Sequence, residues 1–381
     1  MSATDWLRER LADRVLFDQH CTPPERLDQR LPVGFLARCF LPDAPSAGLQ
    51  DAGFVLAHRL ALRWLAELLD CDPVEPAIVE ARAGYPPNRY ARLLADDARL
   101  GPLCCVDHED ERVYRPGEWA QLVDRPVATL VPIEPLAERL LPHCNSWDEF
   151  RTLFAQTLAE AIGRGARGLV SDFPFRTSLA IQPVDVATAD RSFHEVRAEI
   201  DAGSFERLAH RRLLYAVFWV ALEVAAELTV PLHVLIGSSL TRDPHSDDPA
   251  LFRPVFDEPR YQHVPIVLVS YAHLHPHTVA LARHYPNAHL APGPAFLVEP
   301  ATASDMLRQL LASVPTTKVL ASTGGAFLPE RQWLVARLWR SALVRALGVL
   351  VDEGFITPAE AETDATLILA GNAQRLYRFP T

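Results

Sequence analysis

Short, nearly all-apolar runs alternate along this chain with longer stretches whose apolar residues recur at helical spacing. The runs at 15–20, 127–133, 168–172, 231–236, 265–270, 288–291 and 317–321 have the length and apolar content of buried strands. Helical patterns are predicted over 4–13, 134–141, 147–164, 191–200, 204–228, 248–256, 277–284, 303–313, 329–353 and 358–370. Strand and helix in regular alternation imply parallel strands joined by helical crossovers. This many such units imply a closed barrel with its functional groups at the C-terminal strand ends.

One stretch interrupts the alternation. From Thr22 to about Gly117 the pattern is helical, most clearly from Phe54 to Leu69, and it is punctuated at Pro42, Pro45, Pro86-Pro87 and Gly101-Pro102. The chain therefore divides into a barrel start at 1–21, a helical insertion at 22–117 and the remainder of the barrel with its C-terminal helices at 118–381. No internal repeat and no low-complexity linker interrupts these parts.

Composition narrows the partners. The chain has 381 residues, 49% of them hydrophobic, enough for a large core. A net charge of −11 argues against a nucleic-acid surface, which needs clustered positive charge. The most apolar stretch, Leu213 to Val230, carries Glu223 and Glu227 and reads as a buried helix, so no membrane partner is expected. The start, Met1-Ser2-Ala3-Thr4-Asp5, does not read as a signal peptide. Six cysteines (Cys21, Cys39, Cys71, Cys104, Cys105 and Cys144) show no CxxC spacing, which fits reduced thiols in the cytoplasm.

The strand ends carry the chemistry. Strand one delivers Asp18-Gln19-His20-Cys21-Thr22, and later strands deliver Val170-Ser171, Leu235-Ile236-Gly237, Leu268-Val269-Ser270 and Ser322-Thr323-Gly324. In order and context these resemble the metal-bearing strand ends of the amidohydrolase superfamily. The branch resembled is that of glutamine-synthetase-linked amidohydrolases and the amidohydrolase half of fungal glutamine-synthetase-like fusions. That branch has Asp-x-His-x-His, Lys-Ser, His-Thr-Gly, Leu-Leu-His and Ser-Thr-Asp at these places. The likeness continues in Cys105-Val106-Asp107, Pro132-Ile133-Glu134, Phe175-Arg176-Thr177-Ser178-Leu179, Tyr285-Pro286-Asn287, Pro329-Glu330 and Gly371-Asn372-Ala373-Gln374-Arg375-Leu376-Tyr377. It implies an α/β fold, a (β/α)8 TIM barrel of amidohydrolase type, with the insertion after strand one as a cap.

The resemblance also implies that the metal ligands are lost. Its ligand positions hold Thr22, Val170, Leu235, Ser270 and Gly324, while a hydrolytic divalent metal needs imidazole or carboxylate donors at about 2.0–2.2 Å. Lys318, the only lysine, starts the last predicted strand, so no carbamylated lysine bridge stands at the centre. Neither a metal nor another cofactor is expected.

The polar groups that remain each have two readings. Asp18 and His20, two residues apart on one face of a strand, suit acid–base catalysis or a hydrogen-bonded vestige. Arg176 suits a bidentate carboxylate anchor or a salt bridge to Asp172 or Asp18 that holds its loop. His233, where the branch has glutamine, points inward as a buried or a catalytic histidine. His273, His275 and His277 form a His-x-His-x-His run interrupted by Pro276, with no carboxylate beside it in sequence; it reads as a solvated loop with His273 toward the pocket, or as a new metal site. Ser171, Ser270, Ser322 and Thr323 can donate to a ligand, though none sits in a Gly-x-Ser-x-Gly elbow. Gly324-Gly325 reads as a tight turn, and Arg242-Asp243 with Asp247-Asp248 as a loop over the mouth.

The functional expectation is a metal-independent enzyme of isomerase, lyase or hydrolase type, acting on a small carboxylate-bearing metabolite, with a homo-oligomer left open. Two rivals stand beside it. One is a catalytically silent pseudoenzyme that binds a ligand or a partner enzyme. The other is a metallohydrolase with a relocated site built from His20, His233 and His273.

Overall fold

A computed structural model describes residues 2–26, 31, 34, 36, 51–237 and 244–379. Two compact units account for the chain, Met1–Val127 with Pro292–Gln374 and Ala128–Ala291 with Arg375–Thr381. Strand order in the sheet equals chain order from β1 to β7, with helices between successive strands. That is the winding of a (β/α)8 barrel.

In the first unit β1 (Leu16–Cys21) lies parallel to β2 (Leu100–Val106), with Asp18 opposite Leu103 and Cys21 opposite Cys105. Every residue of β1 is buried, as a parallel strand covered on both faces requires. The helix Pro329–Asp352 supplies much of this unit's core through Trp333, Trp339, Leu343 and Leu347, all fully buried. Its first turn carries Glu330, which is buried and paired with Arg82 at 2.8 Å.

The described part of the insertion differs from an all-helical stretch. Helices occupy Leu56–Leu69, Glu75–Ala83, Pro87–Asp97 and Pro116–Val123, but Leu100–Val106 is the strand β2. Gly101 and Pro102 read as a break in sequence; in the fold they sit in a strand whose remaining residues are buried beside β1. The predicted last strand also differs. Thr316–Lys318 is a 3-10 turn, and the residues after it run irregularly along β1, with Gln19 N donating to Ala321 O (3.2 Å) and Gly324 N donating to His20 O (2.9 Å). A regular ladder does not form there because the Thr323 amide is taken by a side chain, the Asp18 carboxylate, at 2.8 Å.

In the second unit β3 (Val127–Pro132), β4 (Gly168–Ser171), β5 (Leu232–Ile236), β6 (Ile266–Ser270) and β7 (Ala288–Ala291) each pair in parallel with the next. The helix Arg211–Leu228 is buried through most of its length, and Phe173, Phe218 and Phe252 form an aromatic knot against it. Predicted helix 204–228 begins later, at Arg211, and predicted helix 248–256 resolves into a 3-10 turn at Pro249–Phe252 and a short helix at Arg253–Asp257. The closing helix 358–370 is Pro358–Thr366 followed by a π-turn at Leu367–Gly371.

Gly293 makes the tightest backbone approach in the first unit. A Cβ there would lie 1.6 Å from Ser322 O and 2.4 Å from Trp339 Nε1, and that indole already donates to Ser322 O at 2.7 Å. Gly293→Ala should therefore displace the Ser322 segment and lower stability by more than about 3 kcal/mol, the upper range for overpacking. Chemical denaturation checks this; a change below 1 kcal/mol in order of magnitude would mean the segment yields freely.

Candidate active site

The first unit gathers its polar groups around Asp18. Its carboxylate accepts from Thr323 N (2.8 Å), from the Thr323 hydroxyl, from Gln332 Nε2 (2.9 Å) and from His20 N (3.4 Å). Asp18 is completely buried, and burial raises its carboxyl to about 6 even though the Gln332 and Thr323 bonds work the other way. His20 is equally buried. Burial and then the charge of His108, just past the end of β2, push its imidazole down to about 3. So His20 is neutral through the physiological range while Asp18 titrates near it. Ser322 adds a buried hydroxyl with no hydrogen-bond partner, an unmet polar group at the strand-end level that calls for an explanation.

The second unit builds a charge cluster where β3 and β4 end. Ser171 donates its hydroxyl to Glu134, and Asp172 N donates to the other Glu134 oxygen at 3.0 Å. Arg176 donates from Nε to Asp172 at 2.7 Å, and from Nη1 to Glu138 and to Leu208 O (3.2 Å). Glu138 in turn accepts from Leu208 N at 2.7 Å, which ties the loop ahead of the helix Arg211–Leu228 to the same carboxylate. Burial, followed by the charge of Asp172, holds the Glu134 carboxyl well above the usual carboxylate range. Burial opposes the Arg176 charge, but Asp172, Glu134 and Glu138 more than offset it and keep the guanidinium firmly protonated.

Nε and Nη1 of Arg176 are thus engaged by two carboxylates and a carbonyl, which brace the loop after β4, one of the two readings of this side chain. Sequence reasoning gave Glu134 and Glu138 no role; the signal was the likeness over Pro132-Ile133-Glu134-Pro135-Leu136-Ala137-Glu138.

His233 shares a 2.6 Å hydrogen bond with Tyr377 Oη and is fully buried, the buried of its two readings. In register Val170 pairs with His233, Leu235 with Val269 and Ser270 with Ile236; Ser270 is buried. His273 is exposed on the loop after β6. Arg242 and Asp243 lie outside the described residues.

The histidine run does have a carboxylate beside it, contrary to the sequence reading. His277 Nδ1 donates to Asp248 at 2.6 Å, and Asp248, His275 and His277 stand close enough to share one ion. Asp248 lies 29 positions away, on the loop after β5, which is why sequence adjacency did not reveal it. Among the described residues this is the only such donor group, and His20, His233 and His273 do not belong to it. Of the ligand positions that the amidohydrolase resemblance implies, strand one keeps an imidazole at His20, beside the Asp18 carboxyl. Thr22, Val170, Leu235, Ser270 and Gly324 supply neither imidazole nor carboxylate.

Comparison with known proteins agrees on architecture. The chain superimposes on a proposed metal-dependent hydrolase from Lactobacillus casei ATCC 334 with a TM-score of 0.86 and 20% identity, covering 98% of this chain and 97% of that one. A uronate isomerase from Thermotoga maritima gives 0.71 at 13% identity over 99% and 98%, and a glucuronate isomerase from Caulobacter crescentus gives 0.66 at 14% over 100% and 94%. The chain thus has the (β/α)8-barrel fold of these structures. In sequence it is 30% identical over 243 residues to protein fluG of Emericella nidulans, covering 61% of this chain and 28% of fluG; the match spans little more than a quarter of that relative. No family model matches. Among the described residues no helix is long and apolar enough to cross a membrane.

Two outcomes follow from the charge states. Asp18, with a raised folded pKa, lends stability that is full below about pH 4 and lost as pH rises through about 6. His20, with a lowered folded pKa, lends stability that is full above about 6.5 and lost as pH falls toward about 3. Between pH 4 and 6 the two slopes, each about 1.4 kcal/mol per pH unit, cancel in the wild type. Asp18→Asn should become less stable on acidification across that window and His20→Gln more stable, as read by urea midpoints; parallel profiles for all three proteins would contradict both assignments. Arg176→Ala, which leaves Glu138 and Asp172 without their cation, should cost about 3–5 kcal/mol in the same measurement. A loss under about 1 kcal/mol would mean the ion pairs behave as exposed ones.

Proposed function

We propose that the protein is a small-molecule enzyme of isomerase type, moving a proton between adjacent carbons of a polar metabolite without a metal at the strand ends. The observation that carries this reading is the buried Asp18 carboxyl, held by Thr323 and Gln332 next to His20, while the other positions that the resemblance gives to ligands hold Thr22, Val170, Leu235, Ser270 and Gly324. Hydrolysis needs an activated water, which a metal supplies by lowering its pKa to about 7. Proton transfer needs only a base of suitable pKa and a hydrogen-bond donor for the developing oxyanion.

Asp18 has the first property. In its ionised form it takes the proton from a hydroxyl-bearing carbon beside a carbonyl and, after exchange with solvent, returns a proton to the former carbonyl carbon, while the hydroxyl proton passes to the former carbonyl oxygen, so that the atoms balance. His20, neutral throughout, has the second: a neutral imidazole N–H can polarise a carbonyl oxygen, as it does in other barrel isomerases. The unpartnered Ser322 hydroxyl offers a further donor to the substrate. The likeness to uronate and glucuronate isomerases over nearly the whole chain suggests sugar acids and related hydroxy-carbonyl compounds as the first substrates to try.

A second reading rests on the triad Asp248, His275 and His277, whose donors suit a transition metal and would serve a metal-assisted reaction on the loops after β5 and β6. A silent protein is the third outcome.

Proton NMR in deuterium oxide separates them. With a panel of uronates and hydroxy-ketones, chelator-treated protein should incorporate solvent deuterium next to the carbonyl, and Asp18→Asn should slow this by about 10²–10⁴-fold. Exchange that appears only with added zinc or manganese and is lost in His275→Ala/His277→Ala would transfer the chemistry to the triad. No exchange with any compound would leave the silent reading.

A further inference from the structure

A pocket of about 400 Å³ in the second unit lies between the helix Val186–Asp201 and the start of the helix Arg211–Leu228. Three guanidinium groups line it, Arg191, Arg211 and Arg212, and among the described residues none of them makes an ion pair or hydrogen bond. This is unusual in a chain of net charge −11, where Arg176 alone engages two carboxylates. Two of the three occupy the first turn of an 18-residue helix, the end where the helix dipole disfavours cations. That turn has no side-chain cap, so its first amides are also without a capping acceptor.

Independent side chains point the same way. Ser192 is 2% exposed and lines the pocket. His210, the residue before the helix, donates or accepts through Nε2 with Glu195 at 2.9 Å, while its buried Nδ1 has no partner. Glu195 is the one acidic residue of the lining. Three arginines, an uncapped helix start, the buried Ser192 and the unpartnered His210 Nδ1 converge on one small concave space, and among the described residues no multiply charged acceptor meets them.

We propose that this pocket binds a small soluble dianion of phosphate type, with Arg191, Arg211 and Arg212 as its charge partners and Ser192 as a hydrogen-bond donor. Arginine forks match phosphate oxygens bidentately, and a helix start adds aligned amides. The volume suits a small metabolite and excludes a folded partner. The site shares no residue with the Asp18 cluster and does not depend on the proposed isomerase chemistry.

Isothermal titration of the full chain with inorganic phosphate, at about 0.15 M sodium chloride, reads the proposal directly. Saturable binding is expected, weakened at least about tenfold in Arg191→Gln/Arg211→Gln. Ser192→Ala, which keeps every charge and changes the fold least, should weaken it severalfold. Glycerol 3-phosphate should compete as a soluble monoester. The proposal is overturned if phosphate gives no saturable heat, if the double variant binds as the wild type does, or if phosphatidic acid vesicles bind while the soluble ions do not.

Discussion

The Asp18 carboxyl is the point on which the first unit turns. It is completely buried, no cation pairs with it among the described residues, and four donors from three segments converge on it. Such a group is tolerable only because those donors replace the water it lost. The same bonds fix where the segment after Lys318 runs against β1 and where the helix Pro329–Asp352 begins, since Thr323 and Gln332 are committed to one acceptor. Residual desolvation leaves the carboxyl less acidic than usual, and that surplus gives an otherwise structural group the proton affinity of a catalyst.

The second unit meets the same difficulty with the opposite device. Glu134, Asp172 and Glu138 crowd the ends of β3 and β4, and a single guanidinium, Arg176, balances them. Breaking a buried pair costs more than forming it gains, so the cluster resists loss of any member without adding much net stability. Its result is positional: the loop after β4 and the approach to the helix Arg211–Leu228 are held by one side chain. A few residues further on, that helix opens with two arginines that no carboxylate pairs with among the described residues, and the contrast with Arg176 is what marks the pocket beside it.

Much of the fold is written locally. Strands buried on both faces must be apolar throughout, so β3 to β7 stand out as runs, and most of the helices between them declare themselves by period. β2 does not, because Gly101 and Pro102 resemble a turn and only burial beside β1 makes the segment a strand. The final strand fails for a different reason, a side chain competing for its backbone amide. Site residues divide in the same way. Asp18 and His20 share a strand face and are legible from spacing alone. Gln332, Glu134, Glu138 and Asp248 are not, since each reaches its partner through tertiary packing across 29 or more positions. That the ligand positions implied by the resemblance hold Thr22, Val170, Leu235, Ser270 and Gly324 is legible in sequence, whereas the state of Asp18 and His20 depends on burial, which sequence does not display.

The central claim is therefore about protonation: an acid held near neutrality beside an imidazole held neutral. Carbon-13 NMR of Asp18, assigned through Asp18→Asn, together with nitrogen-15 spectra of His20, measures both in one titration from pH 8 to 4. The account predicts a carboxyl midpoint near 6 and a His20 ring that stays neutral across the whole range. A carboxyl midpoint at or below 4, or a His20 ring that protonates near 6.5, would contradict it.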